Sequence, residues 1–127
     1  MNRRGFTLIE VIVALVILSG VLLAMTDFTQ RFTRQTTDAA VETRASDLAV
    51  QQLETAKAWR TYGTLVATFH NNVVSFGAPG PYAGLRRETL AVRTGPDGTT
   101  DHVTVTVVVS GGGLSAPVRK STIIAAF

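Results

Sequence analysis

Glu10 is the side chain whose setting most demands a chemical explanation. It stands in an apolar run from Phe6 to Met25 whose other polar side chains are Thr7 and Ser19. A carboxylate at bilayer depth costs at least about 2.5–3.5 kcal/mol, so one that is kept there asks for a cation. Arg3 and Arg4 are the nearest along the chain. A further candidate is the α-ammonium that cutting between Gly5 and Phe6 would create at Phe6.

Other groups offer less. Asp97-Gly98-Thr99-Thr100-Asp101 supplies two carboxylates and several carbonyls to a calcium ion, yet it lacks the ligand spacing and closing Glu of an EF-hand. Asp101 and His102 are neighbours, so within a strand they would face opposite ways, and His70 falls in a loop. Two histidines are too few for a dedicated metal site, and neither His-Glu-x-x-His nor Gly-x-Ser-x-Gly occurs. Gly77, Gly80 and Gly84 neither follow a secure strand nor open a helix, which argues against a phosphate loop. With no cysteine, thiolate metal sites and cysteine nucleophiles are excluded. The expectation is a chain that is not an enzyme, with no metal and no cofactor.

Arg86, Arg87, Arg93, Arg119 and Lys120 would suit DNA, anionic lipid or an acidic secreted protein if they shared one face. Glu88, Asp97 and Asp101 interrupt that field, and interleaved aromatic residues are missing. Nucleic acid is therefore not the expected partner. The net charge is only +3, and no segment is a polyelectrolyte.

The element that carries Glu10 is a helix of membrane length, since about twenty residues at 1.5 Å each span the roughly 30 Å hydrocarbon core. Arg3 and Arg4 precede it with no comparable cluster directly after it, which predicts a cytoplasmic N-terminus and an external remainder. A secretory signal would share the basic start and apolar core, but its cleavage site would lie after the core, where Ala24-Met25-Thr26 fits poorly.

Met1-Asn2-Arg3-Arg4-Gly5 followed by Phe6-Thr7-Leu8-Ile9-Glu10 resembles the type IV prepilins and pseudopilins, which have a short basic leader ending in Gly, then Phe and a Glu ahead of an apolar helix. The resemblance implies that a prepilin peptidase cuts between Gly5 and Phe6 and that the Phe6 amine is methylated. It implies assembly through Phe6, Thr7 and Glu10, with the Glu10 carboxylate paired to the Phe6 ammonium of a neighbouring subunit. It also implies, as partners, other pilin or pseudopilin subunits, an inner-membrane assembly platform, and membrane lipid before assembly. The organisation expected is a leader at 1–5, a transmembrane and filament-core helix at 6–26, and the helix continuation with a head at 27–127. Many relatives carry a proline near the position of Asp27 and a disulfide in the head, and this chain has neither.

Beyond the membrane, Phe28, Phe32, Ala39, Val41, Ala45, Leu48, Ala49, Leu53, Ala56 and Trp59 recur mostly at three and four. This spacing predicts a helix running on to Tyr62 and stopped by Gly63, its first half facing neighbouring subunits and its second half packed on the head. Glu54 is placed to reach Lys57, and Asp47 lies three residues from Arg44. From Thr64 to Gly84 the period is lost, ending in a Gly/Pro tract, with a short strand at 72–76.

Three better strands follow. Arg87–Arg93 centres on Leu90 and Val92, Gly95-Pro96-Asp97-Gly98 turns, and His102–Val109 sets Val103, Val105, Val107 and Val109 on one face. Gly111-Gly112-Gly113 reverses the chain, and Val118–Ala126 closes the sheet with Ile123 and Ile124. The fold class is thus α+β and pilin-like, a long N-terminal helix packed on a small antiparallel sheet of three to four strands. The function read from it is a structural subunit, inclined to a minor one by the small cysteine-free head, of a type IV pilus or a type II secretion pseudopilus. The alternative is a membrane-tethered or tip-displayed head that binds DNA or a secreted protein.

Overall fold

The computed structural model describes residues 6–95 and 100–126. Its elements are helix α1 (Leu8–Lys57), a 3₁₀ turn (Tyr62–Thr64), helix α2 (Leu65–Phe69), and strands β1 (Asn72–Ser75), β2 (Leu85–Thr94), β3 (His102–Gly111) and β4 (Val118–Ala125). The strands form one antiparallel sheet in the order β1-β2-β3-β4, a meander in which each strand pairs with its chain neighbour. The chain divides into two compact units, residues 1–37 and residues 38–127.

In the first unit, every described side chain is exposed, from Phe6 to Thr37. No glycine or proline interrupts this part of α1 apart from Gly20, which lies within the continuous helix. Hydroxyls repeatedly fold back onto the helix. Ser19, Thr26, Thr29, Thr33, Thr36 and Thr37 each donate to the carbonyl four residues earlier, over 2.7–3.0 Å. Such bonds satisfy the hydroxyl locally and leave the threonine methyl outward.

The second unit holds the core. Val103, Val105, Val107 and Val109 are fully buried, and they meet Ala45, Leu48, Ala49, Leu53 and Ala56 of α1. Fully burying a valine is worth about 1.5 kcal/mol or more. The alternation of β-branched residues selects strand over helix, and α1 lays small and apolar side chains over the valine row. Glu54 reaches Lys57 at 2.8 Å on the exposed side, whereas Arg44 and Asp47 form no ion pair.

Three expectations are corrected. First, α1 ends at Lys57, short of Tyr62, with the Trp59 N–H bonding Ala56 O in a tightened last turn. The Trp59 ring meets Phe69 edge-on at 5.5 Å, and its indole N–H donates to Thr64 Oγ1 at 3.1 Å. Those contacts draw the chain out of helix where Trp, Thr and Tyr give it little intrinsic support. Gly63 consequently sits in the 3₁₀ turn with an ordinary φ and caps nothing.

Second, the stretch after Thr64 is not all loop. Leu65 and Phe69 are buried on the short helix α2, which then turns into β1 through Asn71 at φ 55°.

Third, the parity of β2 is the reverse of the expectation. Thr89 and Ala91 face the core, while Leu90 is half-buried and Val92 is 55% exposed on the outer face. The register explains it. Ala91 lies opposite Val105 and Thr89 opposite Val107, so β3's valines already fill the space beneath α1 and small partners fit beside them. By the same register Ile124 packs on the core side and Ile123 is exposed outward.

The β3–β4 reversal does use glycine conformations. Gly111, Gly112 and Gly113 all have positive φ, at 85°, 61° and 87°. A Cβ on Gly111 would lie 2.6 Å from Gly84 O, and one on Gly112 would lie 2.6 Å from Leu85 Cδ2. The expected turn at 95–98 lies outside the described residues beyond Gly95, which has φ 69°.

Leu48→Ala is expected to lower the stability of the head by about 2–5 kcal/mol in urea denaturation of the detergent-solubilised chain. Val92→Ala, on the outer face, should stay within about 0.5 kcal/mol. Gly112→Ala should cost more than about 1 kcal/mol in the same assay, since alanine there meets both an adverse φ and Leu85.

Candidate functional site

At the start of α1, Thr7 acts as the N-cap. Its carbonyl accepts from the Glu10 N–H at 3.1 Å and the Val11 N–H at 3.3 Å, and its Oγ1 lies 3.4 Å from the Glu10 nitrogen. Thr7-Leu8-Ile9-Glu10 has the spacing of a capping box, with Glu at the third helical position. The acidic side chain also sits in the first turn, where the helix dipole favours negative charge. This local role for Thr7 and Glu10 was missed in the sequence, although the Thr-x-x-Glu spacing signals it.

Phe6, Glu10, Val11, Ala14, Leu15 and Leu18 line one shallow groove along the helix. All of it is exposed, and Glu10 has no ion-pair partner among the described residues. The arrangement is an apolar face with a single carboxylate at one end. Such a face can pack against another apolar helix provided that a cation meets the carboxylate. Gly5, Arg3 and Arg4, which the sequence reading singled out, lie outside the described residues.

Among the described residues the head offers no second site of this kind. The five basic residues do not share a face. Arg87, Arg93 and Lys120 stand on the side of the sheet toward α1, opposite or beside the buried valines, and Arg86 and Arg119 stand on the outer side. The Arg87 guanidinium lies 5.7 Å from the centre of the Phe76 ring, and burial holds its pKa below the ordinary value. Among the described residues no three His, Asp or Glu side chains converge. Residues 97–99 of the calcium stretch lie outside the described residues, and the carboxylate of Asp101 is engaged elsewhere.

Asp101 forms the centre of a polar clamp that sequence reading did not anticipate. It accepts from Arg93 Nε at 2.8 Å and Nη2 at 2.6 Å, and from the Tyr62 hydroxyl at 3.0 Å. The Arg93 guanidinium also lies 5.4 Å from the centre of the Tyr62 ring. Hydrogen bonds from Arg93 hold the Asp101 carboxyl below the usual carboxylate range, and the same pairing raises Arg93. Burial and the bond to Asp101 push the Tyr62 phenol up. Nearby, the His70 ring bonds Ala91 O at 2.8 Å, tying the end of α2 to β2. Arg93 and Asp101 stand eight positions apart, Arg93 near the end of β2 and Asp101 directly before β3.

The architecture is α+β, a long helix whose apolar first stretch bears one carboxylate, Glu10, and whose later stretch packs on a four-stranded antiparallel sheet. A family model described as the prokaryotic N-terminal methylation motif matches residues 1–26, so the chain carries the N-terminal segment of the type IV prepilins and pseudopilins. Comparison with curated proteins and with solved structures finds no match.

The clamp yields a pH prediction. Asp101 has a lowered folded-state pKa, so its contribution is complete above the ordinary value of 3.8 and is lost as pH falls through the lower folded value. Tyr62 is raised, so its contribution is complete below 10.0 and is lost as pH rises through the higher folded value. Asp101→Asn should therefore lower the melting temperature by a constant amount near neutrality. That difference from wild type should shrink by about pH 3 in thermal scans followed by circular dichroism.

Proposed function

We infer that this chain is a subunit of a type IV pilus or a type II secretion pseudopilus, made as a prepilin. A prepilin peptidase cuts between Gly5 and Phe6, and the new Phe6 amine is methylated. The helix at 6–26 then holds the chain in the inner membrane with its N-terminus in the cytoplasm and its head outside, until the assembly platform moves it into a filament of like subunits.

The observation that carries this reading is the methylation motif over residues 1–26, continuous with an exposed apolar helix that bears one carboxylate. In the filament, Glu10 meets the Phe6 ammonium of a neighbour, and helix packing replaces lipid contacts. A carboxylate left unpaired there would cost several kcal/mol, so the pairing fixes which axial register is populated. The absence of cysteine and the small four-stranded head support a minor subunit. The division of the basic residues between two sheet faces gives no support to a nucleic-acid-binding head.

The intact mass and N-terminal peptide of the protein from its own membranes test the processing, with a chain beginning at methylated Phe6 expected. Glu10→Leu should insert into the membrane and be cleaved as wild type does, yet enter sheared filaments at about a tenth of the wild-type level or less, a loss worth about 1.4 kcal/mol. Normal incorporation would remove Glu10 from the account.

A further inference from the structure

Phe28 and Phe32 are large aromatic side chains that the head does not use. They are 70% and 61% exposed, and their rings stack at 6.3 Å with planes 18° apart, one helical turn from each other. Arg31 and Arg34 stand among them, both exposed. Asp27 precedes Arg31 by four residues, but the only ion pairs among the described residues are Glu54–Lys57 and Arg93–Asp101. Both guanidiniums thus remain available to another anion.

Position along the helix gives this cluster its meaning. Phe6–Met25 is about 30 Å of helix, enough to fill the hydrocarbon core, and each headgroup layer adds about 5–7 Å beyond it. Phe28 follows Met25 by three residues, about 4.5 Å, and Phe32 by seven, about 10 Å. Helical side chains lean toward the N-terminus, so the Phe32 ring is carried back over the preceding turn, where it meets Phe28. Phe28 therefore falls within the headgroup layer, and the Phe32 ring, carried back toward it, at the layer's outer edge. Arginine side chains reach phosphate oxygens from that depth while their stems remain on apolar surface.

We propose that Phe28, Arg31, Phe32 and Arg34 form an interfacial anchor that binds the phospholipid headgroups of the outer leaflet and sets how deep the helix sits before assembly. The proposal rests on the membrane-anchored reading given above. Fixing the depth of the helix also fixes the depth of Glu10 in the bilayer.

The absence of cysteine allows single nitroxide labels on the full chain without a background thiol. Labels at Leu15, Gln30 and Thr37 would be read in vesicles of phosphatidylethanolamine and phosphatidylglycerol by their accessibility to oxygen and to a water-soluble nickel complex. The expected order is Leu15 deep, Gln30 at headgroup depth and Thr37 in water. Replacing Phe28 and Phe32 together by Ala should raise nickel access at Gln30 to the Thr37 value. Gln30 already water-like in the wild type, or unmoved by the double replacement, with Leu15 still deep, would overturn the anchor and leave the membrane reading standing. A water-exposed Leu15 would overturn both. Loss of oxygen and nickel access together at Gln30 would mean that a second copy covers the pair, and would also overturn the anchor.

Discussion

The head depends on one constraint, the exclusion of water from the valine row of β3. Four valines in alternation cannot be left exposed at tolerable cost, and the sheet alone covers only their edges. The cover is the stretch of α1 bearing Ala45, Leu48, Ala49, Leu53 and Ala56, which is buried in one cluster with the valines. Much else follows from this fit. β2 turns Thr89 and Ala91 toward the core because the volume there is already taken, and α2 closes one end with Leu65 and Phe69.

Polar contacts then fix the segments that apolar burial leaves loose. The chain between α1 and the sheet is held by Trp59 to Thr64, by His70 to Ala91, and by Tyr62 to Asp101. Arg93 completes the last of these from the neighbouring strand. These bonds lie near the surface, where each is worth little alone. Their combined effect is positional, since they converge on the 3₁₀ turn and on the end where β2 leads into β3.

The sequence was most legible where one local rule sufficed. β3 follows from alternation, the triple glycine from its conformational freedom, and the membrane-length run from composition. It was least legible where distant residues decide. The end of α1 depends on Trp59 finding Phe69 and Thr64, and Gly63 was a false stop because the helix had already ended. Helix α2 is too short for periodicity, although Leu65 and Phe69 stand four apart. The parity of β2 misled because Leu90 and Val92 are larger and more apolar than Thr89 and Ala91 beside them, yet β3 sets which face is full. At the candidate assembly site, Glu10 was conspicuous as a charge in an apolar run, while the bond of its N–H to the Thr7 hydroxyl follows from a Thr-x-x-Glu spacing that the same run contains.

Along the single helix α1, exposure changes character at Val41 and Ala45. Before that boundary every described side chain points outward, so a substitution there scarcely alters the folding energy of the chain and is filtered only by what the helix meets outside itself. After it, Ala45, Leu48, Ala49, Gln52, Leu53 and Ala56 are buried, and a change is felt first by the chain's own fold. One continuous element is therefore subject to two independent constraints on substitution. Drift in its first part would trace the surroundings the protein has lived among, and drift in its second part the sheet it has had to cover.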